Sequence, residues 1–184
     1  MSRVRTPVVA GECEQVLARL KSAYPDYVQY LWGQLHYSAG RYLEARQAYT
    51  QCRAQEYQCY ALVGLGRTAW KLGQLDAAKD YSQRSYATFH ALSPLLLLAE
   101  LVLDQDDLKQ AEELLEGALQ HGPNDITTWK LLGQLAERKG ETHEAIKAYS
   151  RCLQEQAKGL LSCPPEQARS ESARVRLQSL KDVS

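Results

Sequence analysis

The sequence predicts an all-α fold, a right-handed α-solenoid of stacked antiparallel helix pairs, and three series of residues predict it. Small residues recur at Gly33, Gly66, Ala99 and Gly133. A turn residue recurs at Gly40, Gly73, Asp106 and Gly140, and an alanine at Ala45, Ala78, Ala111 and Ala145. Every series steps by 33, 33 and 34 residues. A period of that length marks a helical repeat, in which each unit buries its apolar face only against its neighbours.

The first unit shows how each element arises. Apolar residues from Tyr27 to Ala39 recur at three- and four-residue steps, Gly40-Arg41 interrupts them, and the same period resumes from Tyr42 to Cys52. This is a helix, a tight turn and a second helix, each helix about 12 to 14 residues and so about 20 Å long. Gly40, Gly73 and Gly140 can take the positive φ that stops a first helix, and Asp106 is the next most tolerant choice. The small residues let paired helices approach, and a larger side chain there would overpack the joint. Trp32, Leu65, Leu98 and Leu132 on the first helices, with Tyr49, Leu115 and Tyr149 on the second, supply the apolar mass between them.

Four repeats are expected over 26–57, 58–91, 92–124 and 125–157. Residues 1–10 are expected to be disordered. Residues 11–25 form a degenerate capping helix, with Cys13, Leu17 and Leu20 ahead of Pro25. At the other end, 158–184 holds a break at Ser162-Cys163-Pro164-Pro165 and a polar capping helix from about Pro165 to Leu180, with a fraying tail. The second repeat departs from the pattern. Tyr81 comes one place early and leaves Ser82 where an aromatic is expected, which predicts a rotated or irregular second helix.

Charge and composition exclude several classes. Lys plus Arg (22) equals Asp plus Glu (22), with a pI near 6.9, so the basic excess of a nucleic-acid binder is missing. The longest apolar run, Leu95 to Ala99, falls far short of the roughly 18 residues of a membrane span. The first ten residues hold only Pro7-Val8-Val9-Ala10 after Arg3 and Arg5, too short for a signal sequence, so a cytoplasmic protein is expected. Five cysteines form no close pair. Cys52 and Cys152 hold matching places seven residues after the repeat's alanine and read as small buried hydrophobes, with a Cys52–Cys59 disulfide the alternative in an exported protein.

No chemistry is legible. His36, His90, His121 and His143 are scattered over different units, and none stands four residues from another His or a Cys, so no metal and no cofactor is expected. Gly64-Leu65-Gly66 lacks the third glycine of a nucleotide loop. The acidic run Asp104, Asp106, Asp107, Glu112 and Glu113 surrounds a helix start, where carboxylates favour the positive end of the dipole. No catalytic residue emerges, and a non-enzyme is expected.

Trp129, Leu132-Gly133, Gly140, Ala145, Tyr149 and Leu153 in the fourth unit, with Ala118-Leu119 and Pro123 closing the third, make the chain resemble the tetratricopeptide repeat family over about residues 26–156. The resemblance implies a protein-binding adaptor or scaffold whose first helices line a concave groove for an extended peptide or a helix. The residues it places there are Tyr27, Tyr30, Gln34, Tyr37 and Ser38, then Tyr60, Val63, Arg67, Trp70 and Lys71. Leu96, Glu100 and Leu103 follow, and last Lys130, Gln134 and Arg138. Because the front half is aromatic, the expected partner is a protein or peptide anchored by an apolar or aromatic segment, with neither nucleic acid nor membrane involved. Arg67 and Lys71, one turn apart, are placed to meet an acidic group.

Family members that hold the carboxylate tail of heat-shock chaperones use a clamp of Lys and Asn, then Asn, then Lys and Arg. The matching places here are Tyr30 and Gln34, Gly64, and Ser93 and Leu97, so that clamp is absent. Two other roles fit the layout. One is a dedicated bacterial assembly chaperone, like those of type III secretion translocators or type IV pili. The other is a constitutive subunit of a large complex.

Overall fold

The computed structural model describes residues 15–21 and 23–159, and within them the chain is all helix and turn, with no strand. A short helix, α1, covers 15–20. It is followed by α2 (Pro25–Ser38), α3 (Tyr42–Gln51), α4 (Gln55–Lys71), α5 (Leu75–Phe89), α6 (Leu92–Asp104), α7 (Leu108–His121), α8 (Ile126–Lys139) and α9 (Thr142–Gly159). The chain divides into two compact units, with the boundary between Pro94 and Leu95 in the first turn of α6. The expected disordered start, Cys13 and the C-terminal cap lie outside the described residues. Leu17 of α1 is buried.

All four turns within the helix pairs have one geometry. Gly40, Gly73 and Gly140 take φ near 75°, and Asp106 takes 62°. In each case the next residue donates its N–H to the carbonyl five positions back: Arg41 to His36 and Gln74 to Ala69 at 2.9 Å, Asp107 to Val102 at 3.1 Å, Glu141 to Ala136 at 2.9 Å. That bond satisfies a helix-end carbonyl and turns the chain back on itself. Asp107 then caps α7 by accepting from the Gln110 N–H at 3.1 Å, the role expected of the acidic run.

In the first unit the core gathers Ala45, Tyr49 and Leu65, with Tyr30, Tyr37, Leu62 and Tyr81 packed against them. The anticipated irregularity in α5 is not found. The helix runs unbroken from Leu75 to Phe89 because buried Ser82 satisfies its hydroxyl on the Ala78 carbonyl at 2.8 Å, while Tyr81 supplies the missing ring to the cluster. In the second unit Ala136, Ala145, Tyr149 and Cys152 form the corresponding core, flanked by Ile126, Trp129 and Leu153. The Tyr149 hydroxyl donates to Glu137 Oε2 at 2.8 Å, so its polar end is satisfied.

In the first, second and fourth repeats the small residue seven places after the repeat's alanine has a polar duty, whereas the third has Ala118 there. Cys52 Sγ bonds the Asp26 carbonyl at 3.5 Å, Ser85 Oγ the Cys59 carbonyl at 3.3 Å, and Cys152 Sγ the Ile126 carbonyl at 3.6 Å. The offset is 26 residues each time and ties the end of a second helix to the start of its first. Cys52, Cys59 and Cys152 are all free thiols. Burial, followed by the Asp26 carboxylate, pushes the Cys52 thiol up to about 11, which makes it unreactive.

Candidate functional site

Tyrosines of α2, α3 and α4 pack against one another in the first unit. Tyr27 packs on Tyr57 with ring centroids 5.5 Å apart, and Tyr30 lies 5.8 Å from Tyr60 and 6.2 Å from Tyr49. Tyr37 meets Tyr42 edge-on at 5.5 Å. Helical spacing puts Tyr27, Tyr30, Gln34 and Tyr37 along one side of α2, and the Gln34 side-chain amide donates to the Tyr30 hydroxyl. Tyr49 beneath is buried, whereas Tyr27 is 41 % exposed and Tyr60 is 54 % exposed. Two aromatic rings therefore face solvent on a base that other rings hold rigid.

Arg67 stands beside this cluster. Its charge acts on the phenols of Tyr30 and Tyr49, both of which burial pushes above the ordinary tyrosine range and Arg67 partly restrains. Its Nε is enclosed and has no hydrogen-bond partner. One turn on, exposed Lys71 holds its ammonium 5.3 Å from the centroid of the Trp70 ring.

Not every expected groove residue is at the surface. Val63 is only 8 % exposed and Leu96 only 7 %, and Leu103 is buried too, so these side chains serve the core. Ser38 is exposed and donates to the Leu35 carbonyl at 2.9 Å. In the second unit Glu100, Lys130 and Gln134 are partly exposed. Arg138 donates to the Leu103 carbonyl and faces Asp106 at 3.4 Å, so it closes the turn after α6.

Sequence reasoning missed the opposite side of α2. There Trp32 stacks on His36 at 5.4 Å, and both help line a cleft of about 360 Å³ with Gln29, Lys21 of α1's end and Gln47 of α3. By sequence, Trp32 is packing mass between paired helices. A cleft of about 300 Å³ in the second unit is lined by Trp129, Leu132 and Lys139. Among the described residues no group of three His, Cys, Asp or Glu side chains could hold a metal ion. No described helix is long and apolar enough to cross a membrane.

Comparison with known proteins agrees with this architecture. Family models described as tetratricopeptide repeat match residues 30–91, 92–135 and 126–158. A TPR repeat-containing protein of Methanocaldococcus jannaschii is 37 % identical over 76 residues, which is 40 % of this chain and 20 % of that protein, so the chain spans one fifth of its relative's length. Among solved structures, MamA superposes with a TM-score of 0.62 at 18 % identity, covering 88 % of this chain and 99 % of MamA. YrrB, a TPR protein with an unusual peptide-binding site, superposes with a TM-score of 0.58 at 17 % identity, covering 91 % of this chain and 86 % of YrrB. At such identities these two likenesses show the fold.

Proposed function

Because the chain belongs to the tetratricopeptide repeat family, we propose that it is a non-catalytic adaptor or scaffold that seats a segment of a partner protein against the first helices of its repeats. The observation that carries this reading is the pair Tyr27 and Tyr60, exposed yet braced by Tyr57 and Tyr30. A rigid ring with a polar tip loses little entropy on binding and gives a large contact area, which is how a few residues come to dominate an interface. YrrB, with the same fold, has a peptide-binding site. The free thiols Cys52, Cys59 and Cys152 accord with work in the reducing cytoplasm.

A photo-crosslinking amino acid in place of Tyr60 or Tyr27 tests the site. It is expected to label the partner, whereas the same group at exposed Gln47 of α3 is not. Tyr27→Ala with Tyr60→Ala is expected to abolish capture while far-ultraviolet circular dichroism is unchanged. Tyr30→Ala is a poorer probe, because Tyr30 also packs on the core residue Tyr49. Labelling from α3 alone, or a fixed-stoichiometry assembly indifferent to both tyrosines, would point instead to a structural subunit.

A further inference from the structure

We propose that the tyrosine face of the first unit selects an acidic peptide, an extended partner segment that sets an Asp or Glu carboxylate against Arg67 next to an aromatic or aliphatic side chain against Tyr60. The inference rests on the adaptor reading and adds the charge of the partner to it.

Charge complementarity is the first support. Along α2 and α4 the carboxylates are confined to the first turns, at Asp26 and Glu56. Asp26 is engaged with the backbone N–H groups of Arg53 and Ala54. Past those turns, Arg67 and Lys71 are the permanently charged side chains of the two helices, and both are positive. Tyr60, Arg67 and Lys71 fall at steps of seven and four, so they share one stripe of α4.

The second support is the state of Arg67. A guanidinium offers donors in a fixed fork that matches a carboxylate. Its enclosed Nε makes no hydrogen bond, although Tyr30 and Tyr49 lie close enough for their phenols to feel its charge. The residue as a whole is only partly buried, so an incoming carboxylate meets the outer donors of the guanidinium and not the enclosed Nε. Several cations of other helices are matched: Lys139 with Glu112 at 2.6 Å, Arg84 with Asp80 at 3.3 Å, and Arg151 with Glu155 at 2.8 Å. Arg67 lacks such a counter-charge because α4 carries none within reach.

A random dodecapeptide display library panned on the immobilised full chain tests the proposal. Selected peptides are expected to be enriched in Asp and Glu beside aromatic or aliphatic residues. One selected peptide, synthesised with Glu→Gln at the acidic position, should bind the wild-type chain about tenfold more weakly. Arg67→Gln should bind the acidic and neutral peptides alike, and Arg67→Lys should recover part of the preference, at unchanged melting temperature. Lys71→Gln, at an exposed position, provides a smaller loss of the same sign and serves should Arg67→Gln not fold. Selection without acidic enrichment, or equal affinity for the Glu and Gln peptides, overturns the acidic preference and leaves the adaptor reading standing. No selection at all by the wild-type chain overturns both.

Discussion

Tyr49 lies between two helix backbones, and that position decides which glycines matter. A Cβ at Gly64 would stand 2.6 Å from Tyr49 Cζ, and one at Gly33 would strike the same ring from the other helix. Contacts that short have no room to relax, because the ring is 4 % exposed and hemmed by Tyr30, Tyr37 and Leu65. Gly64→Ala is therefore expected to lower the unfolding free energy by about 1–3 kcal/mol, although alanine is the better helix former by about 1 kcal/mol. Gly117 supplies the contrast: its Cβ would meet Leu95 Cδ2 at 3.7 Å, an ordinary contact. Gly117→Ala should be neutral or stabilising by up to about 1 kcal/mol. Urea unfolding followed by circular dichroism distinguishes the signs, and a shared sign would remove the ring contact as the cause. Period alone pointed to Gly33 and Gly133, which do meet Tyr49 and Tyr149. It could not point to Gly64, whose obligation comes from a tyrosine in the preceding repeat.

At the scale of the helices, turns were the most legible feature, because a positive φ is a local demand that Gly40, Gly73 and Gly140 announce by themselves. Which side chains a helix offers to solvent was less legible. The family resemblance implies outward positions for Val63 and Leu96, yet both are buried, and no single-helix pattern carries that information. The joint between repeats one and two illustrates the same long-range dependence. Asp26 in the first turn of α2 accepts from Arg53 and Ala54, fixing the entry to α4. Those two backbone bonds, Arg53 first and then Ala54, hold the Asp26 carboxyl below its ordinary value. A folded-state value lower than the unfolded one means the ionised form stabilises the fold. Its contribution is present above about pH 4 and is lost as pH falls through the depressed folded value. Asp26→Ala should cost about 1 kcal/mol near neutrality, and the gap from wild type should close on acidification below about pH 4. A gap that persists unchanged in acid would assign the loss to packing instead of charge.

Over the whole molecule, the repeat period made the all-α class and the helix pairs readable, because every repeat states the pattern again in its own residues. The division between Pro94 and Leu95 was not readable, since the series at Gly66 and Ala99 keeps its step of 33 residues straight across it. The division nonetheless has an energetic consequence. In a repeat protein, stability is close to a sum of local terms, and substitutions combine additively only when they share no partner. Gly64 presses on Tyr49 in the first unit and Gly133 on Tyr149 in the second. The double change Gly64→Ala with Gly133→Ala should therefore cost the sum of the single changes within about 0.5 kcal/mol. Gly33 and Gly64 press on one ring, so a Tyr49 displaced by the first alanine has already yielded part of what the second demands. Gly33→Ala with Gly64→Ala should fall short of its sum by about 0.5–3 kcal/mol. Denaturant unfolding of the three single and two double variants against wild type measures both couplings. Equal additivity in the two pairs would mean that Tyr49 does not link its two glycines.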